Sequence, residues 1–203
     1  MPLGLIAVIV LLTYAAIVWT LPRGFDRTDE AFGYVLIASD RIATDVPLGF
    51  QHLLHPLYQL TGQSVLAFRV LRLLGYVLLS IALVSCAWAV TSRIGIRISR
   101  SGWAFILLFA QVGTFLAWSY PPRYPGYNEV TSWFAQLGIA MILLTLSWVG
   151  SATRRQGTFW VPWLIWAGLG AVTVLLVFAK VTSVMAFVPF LAAALVIPSP
   201  ELR

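Results

Sequence analysis

The 203 residues predict an all-α, polytopic transmembrane bundle of about six spans, and three observations lead there. Hydrophobic side chains make up 60% of the chain, charged ones only 10%, and mean hydropathy is +0.90. A soluble domain carries about 25% charge, so this much apolar surface calls for lipid as solvent. Among the uncharged runs that the ionised residues leave are 1–22, 73–92, 101–122, 130–153, 156–179 and 181–200. Each is long enough to cross a bilayer as a helix, which takes roughly 20 residues. The tryptophans are the third observation. Trp19, Trp88, Trp103, Trp118, Trp133, Trp148, Trp160 and Trp163 fall near the ends of those runs, where indoles favour the headgroup level, and Trp166 lies deeper. Strands of this apolarity would leave amides unpaired in hydrocarbon, so the spans are helical.

In chain order, the first span is placed at 3–22. It has no basic leader and no small-residue cleavage site, which reads as a retained span rather than a signal peptide. A large loop, 23–66, follows. Within it, residues 29–43 set Phe32, Val35, Leu36, Ile42 and Ala43 against Asp29, Glu30, Asp40 and Arg41, the pattern of a helix lying on a membrane with a solvated polar face. Pro47 breaks that helix, and Pro56 is placed to start a second short one that Gly62 ends. The remaining spans are expected at 67–91, 103–120, 132–150, 160–178 and 182–197, with Pro189 kinking the last or ending it early. There is no internal repeat and no low-complexity tract, so 1–203 reads as a single integral-membrane domain.

Charge supplies the orientation. The loop 23–66 holds Asp26, Asp29, Glu30, Asp40 and Asp45, whereas the connectors 92–102 and 151–159 hold Arg93, Arg97, Arg100, Arg154 and Arg155 and no acid. The positive-inside rule makes the arginine side cytoplasmic and the loop external. The net charge of +6 then reflects arginines meeting anionic headgroups, with no nucleic-acid partner implied. The lone Cys86 rules out a disulfide framework.

Four clusters are candidates for chemistry. Asp26-Arg27-Thr28-Asp29-Glu30 could hold a general base at the membrane surface, or could cap a helix and complement its dipole. His52 and His55 are three apart, but no third ligand is fixed by spacing, and Pro56 disfavours helical geometry at His55. Arg69, Arg72, Arg123 and Lys180 could grip a lipid phosphate or snorkel to the interface. Lys180 stands out because it interrupts 44 uncharged residues. Finally, the turn from Tyr120 to Glu129, with Asn128, combines rigid aromatics with an amide and a carboxylate, which suits a sugar site or a tight interfacial turn. A Walker loop, a dinucleotide fingerprint, a nucleophile elbow and HExxH are absent from the sequence. The first five spans carry no ionisable residue near their middles, which argues against an ion channel or proton-coupled transporter.

The run Leu21-Pro22-Arg23-Gly24-Phe25-Asp26-Arg27-Thr28-Asp29-Glu30-Ala31-Phe32-Gly33-Tyr34, directly after the first span, resembles the opening of the dolichyl-phosphate-mannose–protein mannosyltransferases and their bacterial relatives, the lipid A aminoarabinose transferases, which are GT-C-type glycosyltransferases. His55-Pro56-Leu57-Tyr58 is similar to their Pro-Pro-Leu-Tyr segment, with His55 in place of the first proline. Phe68-Arg69-Val70-Leu71-Arg72 is similar to the arginine-led start of their second membrane helix. Val177-Phe178-Ala179-Lys180-Val181-Thr182 is similar to their Thr-Lys-Gly-Pro segment, with Val-Thr where that family has Gly-Pro. The resemblance implies a polyprenyl-phosphate-sugar donor and transfer with inversion at the anomeric carbon. It implies Asp29 as base with Glu30 beside it, and Arg69, Arg72, Lys180, Tyr58 and Asn128 on the lipid-phosphate and substrate side. Such enzymes have more spans, so the chain is expected to be a fragment, a short divergent member, or part of a site completed by a further membrane chain.

The sequence thus predicts a membrane glycosyltransferase working at the external face. No cofactor is called for; a divalent metal is left open, with nothing in the sequence that supports one. The alternatives are a non-catalytic subunit that binds lipid phosphate and a transporter or flippase for lipid-linked sugars.

Overall fold

In a computed structural model, described over residues 3–24, 29–39, 49–119, 124–149 and 160–196, the described chain is helical, with no strand. The helices are α1 (Leu3–Thr20), α2 (Asp29–Ser39), α3 (Phe50–Leu60), α4 (Val65–Arg93), α5 (Arg100–Ser119), α6 (Tyr127–Val149), α7 (Trp160–Ala179) and α8 (Val181–Val196). Four are long and apolar enough to cross a membrane: α1, α4, α5 and the Tyr127–Ser147 part of α6. Residues Trp163–Ala179 form a shorter apolar helix, and α8 has 16 residues.

Helix α4 is the hub. It packs on α5 and α6; α1 packs against α5, with Ile17 and Leu21 in one core cluster with Leu73 of α4 and Trp118 of α5, and α7 packs against α6. Helices α7 and α8 form a hairpin about Lys180, so that Phe187 and Val172 both reach Gly138 of α6. The approach is close: a Cβ on Gly138 would lie 2.5 Å from the Phe187 ring, and one on Gly75 of α4 would lie 2.5 Å from Trp133 of α6. Within the bundle, the Tyr14 hydroxyl donates to Gln111, whose Nε2 donates to Ser80 at 2.8 Å. This chain satisfies three polar groups and ties α1, α5 and α4 together in a setting without water.

The exit of α1, the starts of α4 and α6, the end of α5 and the α7–α8 bend all lie at one end of the bundle, and α2 and α3 cap it. Tyr34, Ile37, Phe50, Leu54, Tyr58, Phe68, Tyr124, Val130 and Ala179 make a small core there. Arg93, Arg97 and Arg100 are exposed at the opposite end.

The structure corrects three local expectations. Glu30 is not on a solvated face. It is 1% exposed, while the apolar Phe32 and Val35 are 56% and 61% exposed. Helix α2 is rotated so that Glu30, Gly33, Tyr34 and Ile37, at helical spacing, face the protein, because Arg69 and the aromatic core lie on that side. Asp40, Arg41, Ile42 and Ala43 fall outside the described residues. Pro56 does not open α3 but sits inside it. The burial of Phe50, Gln51, Leu54 and Tyr58 along one face outweighs the hydrogen bond a proline forfeits. His55 is therefore helical despite the following proline, and its Nδ1 lies 2.7 Å from the Ile37 carbonyl, joining α3 to α2. Helix α6 starts at Tyr127, five residues before the expected 132, because Glu129 in its first turn accepts the Gly126 N–H at 3.0 Å. Helix α8 runs through Pro189.

Candidate functional site

The predicted residues converge on the capped end, and α4 brings them there. Ser64 accepts the Ala67 N–H at 3.2 Å and so caps α4. One turn further on, Arg69 and Arg72, three apart, leave the helix toward different neighbours.

Arg69 is 2% exposed. Its Nε and Nη2 donate to the two carboxylate oxygens of Glu30, each at 2.9 Å. Nη1 donates to the carbonyls of Leu21 at 2.7 Å and Arg23 at 3.2 Å, and Nη2 also donates to Gly24. A guanidinium has five N–H groups, and five acceptors are named here. The forked, doubly bonded geometry is the strongest form of such a pair. Arg69 thereby collects the exit of α1 and the first turn of α2 onto α4.

Arg72 does the same for α5 and α6. Its Nη2 donates to Glu129 at 2.8 Å and to the Ala117 carbonyl at 3.0 Å, with the Trp118 carbonyl 3.5 Å from Nη1. The Trp118 and Tyr76 rings lie 5.3 and 5.9 Å from the guanidinium carbon. Glu129 was not singled out as a partner from the sequence. Its position in the first turn of an apolar helix was the available signal.

Lys180 differs from both arginines. Its Nζ donates to the Asn128 Oδ1 at 3.2 Å and lies 5.0 Å from the Tyr127 ring. Among the described residues this is its hydrogen-bonding partner, so the ammonium retains N–H groups beyond that one bond. The bend that carries it is pinned to α3 by the Gly49 N–H, which donates to the Phe178 carbonyl at 3.0 Å.

Tyr58 lies in the core, with ring centroids 4.8 Å from Phe68 and 5.6 Å from Tyr34, and burial pushes its phenol pKa up. The backbone of Asp29 opens α2; its side chain, like Asp26 and Arg123, falls outside the described residues. Among the described residues no cluster of three or more His, Cys, Asp or Glu side chains could hold a metal.

The structure therefore joins Glu30 to Arg69, Arg72 to Glu129 and Lys180 to Asn128 at one end of the bundle. The first two are buried ion pairs. The third leaves a cation with hydrogen-bonding capacity. Compared with family models, curated proteins and solved structures, the chain gives no match.

Proposed function

We propose that the chain is a membrane glycosyltransferase that moves a sugar from a polyprenyl-phosphate donor to an acceptor at the face carrying α2 and α3. In this reading the chain has six spans, with the 23–66 loop external and the arginine connectors cytoplasmic. The observation that carries it is the contrast at the capped end. Glu30 is locked onto Arg69, which fixes the helix turn that Asp29 opens, while Lys180 keeps donors to offer.

Asp29 takes the proton of an acceptor hydroxyl or amine as that atom's electron pair bonds to the anomeric carbon. The bond from that carbon to the lipid phosphate oxygen breaks, its electrons remain on the phosphate, and the configuration inverts. Lys180 offsets the charge that develops there. Glu30, Arg69 and Arg72 hold the frame.

The test is turnover by the full chain in vesicles supplied with polyprenyl-phosphate-mannose or polyprenyl-phosphate-aminoarabinose. Release of polyprenyl phosphate by the wild type, its loss in both Asp29→Asn and Asp29→Ala, and a weakened donor KM in Lys180→Met are expected. Undiminished release in the Asp29 variants overturns the assignment.

A second reading, a non-catalytic subunit that binds lipid phosphate, is favoured by the burial of both arginine–glutamate pairs. It predicts Lys180-dependent retention of polyprenyl phosphate without release of sugar.

A further inference from the structure

A cavity of about 330 Å³ lies between α4, α5 and α6, and its end at Tyr76 and Ala117 adjoins the Arg72 guanidinium. Helices α5 and α6 each pack along α4 but not substantially on one another, so the space is a cleft floored by α4 and open on the side between α5 and α6. Along α4 it runs from Tyr76 to Val84, eight residues or about 12 Å. That is close to the depth of one leaflet's hydrocarbon, half of about 30 Å.

Among its polar side chains, Ser80 and Gln136 lie about halfway along it, and Thr114 and Ser132 lie nearer the capped end. Thr114 of α5 and Ser132 of α6 are each five residues, or about 7.5 Å, in from their helix ends there. The Thr114 side chain is buried, 4% exposed, and its hydroxyl has no hydrogen-bond partner among the described residues. Ser132 accepts from Gln136 at 3.1 Å, which leaves its own O–H without an acceptor among those residues. Hydroxyls left in hydrocarbon without partners are costly, so an occupant that supplies acceptors at this level is favoured. Toward Val84 the walls are apolar.

We infer that this cleft binds one acyl chain of a glycerophospholipid from the leaflet on the capped side, with an ester carbonyl accepting from Thr114 and Ser132. An ester matches donors at the top and hydrocarbon below. An isoprenoid chain carries its acceptors only on the terminal phosphate and offers none along its hydrocarbon length. The inference is independent of the proposed sugar transfer.

The experiment reconstitutes the full chain in phosphatidylcholine vesicles containing a phosphatidylcholine with a diazirine in one acyl chain, and maps the crosslinked peptides after illumination. Labelling of the 110–117 and 132–136 segments several times above that of α1, whose Leu11 and Leu12 are freely exposed, is expected. In Gly113→Leu the added side chain enters open space, since a Cβ there meets nothing within 4 Å. This variant is expected to fall to the α1 level with an unchanged thermal midpoint. Thr114→Val, nearly isosteric, is the second variant and is expected to reduce labelling without filling the cleft. Labelling no higher than on α1, labelling unchanged in both variants, or displacement of the lipid by polyprenyl phosphate overturns the inference.

Discussion

Glu30 and Arg69, 39 positions apart in the chain, meet through two parallel hydrogen bonds of 2.9 Å with both side chains almost wholly buried. Removing one member of such a pair leaves an uncompensated buried charge, at a cost of about 3–5 kcal/mol. Arg69→Ala and Glu30→Gln are therefore expected to lower the thermal midpoint in detergent markedly. Arg69→Lys restores little, because an ammonium has three donors for a site that engages five. The double variant Glu30→Met with Arg69→Met is cheaper than the sum of the single changes but not neutral, since the carbonyls of Leu21, Arg23 and Gly24 lose their donor. Midpoints within a degree or two of wild type for Arg69→Ala would contradict the closed pair.

Glu129 serves two donors, with one oxygen toward Arg72 and the other toward the Gly126 N–H. Glu129→Gln keeps an acceptor and a similar shape but loses the charge, whereas Glu129→Ala leaves both donors unsatisfied. The alanine variant is expected to be less stable than the glutamine variant by about 1–3 kcal/mol, the cost of orphaning a buried donor. Equal midpoints for the two would mean that the Gly126 bond contributes nothing.

Apolar runs and tryptophan positions were enough to place four helices long and apolar enough to cross a membrane, whereas the fifth and sixth expected spans correspond to the shorter apolar helix Trp163–Ala179 and the 16-residue α8. The capped end was only partly legible. That Glu30, Arg69, Arg72 and Lys180 belonged near one another followed from alternation of the spans. Which acid takes which base did not, because such pairing depends on helix rotation. The rotation of α2 misled the reading for that reason. Phe32 and Val35, read as the membrane side, are indeed exposed, but Glu30, read as part of the opposite polar side, faces the protein. Pro56 misled it too, because local propensity is weaker than the burial of one face of α3.

Close helix contacts give a further prediction. A Cβ on Gly75 would sit 2.5 Å from the Trp133 indole, and one on Gly33 would sit 2.1 Å from the Tyr124 ring. Neither glycine has a positive φ, so alanine is compatible with the backbone and the obstacle is overpacking alone. Gly75→Ala is expected to cost about 1–3 kcal/mol, although alanine is the better helix former by about 1 kcal/mol. Gly113→Ala, with open space around it, shows only the propensity gain. Thermal unfolding of the two side by side checks the sign: a Gly75→Ala variant as stable as wild type would refute the close packing of α4 on α6, and destabilisation by Gly113→Ala would refute the open space beside α5.

Alkaline pH should weaken the cap. Burial, and secondarily the charge of Glu30, pushes the Tyr34 phenol well above its ordinary pKa of 10.0, outweighing the opposing Arg69 charge. The folded state thus keeps this proton where the unfolded chain releases it. The associated stability is complete below pH 10 and declines as pH rises beyond it; Tyr58, shifted the same way by burial, adds to the slope. Tyr34→Phe is expected to flatten the decline above pH 10. It should cost about 1 kcal/mol at neutral pH, where the 3.3 Å bond from the hydroxyl to the Val65 carbonyl is lost. Thermal midpoints across pH 8 to 11 for wild type and variant decide the matter, and parallel curves would exclude Tyr34 as the group responsible.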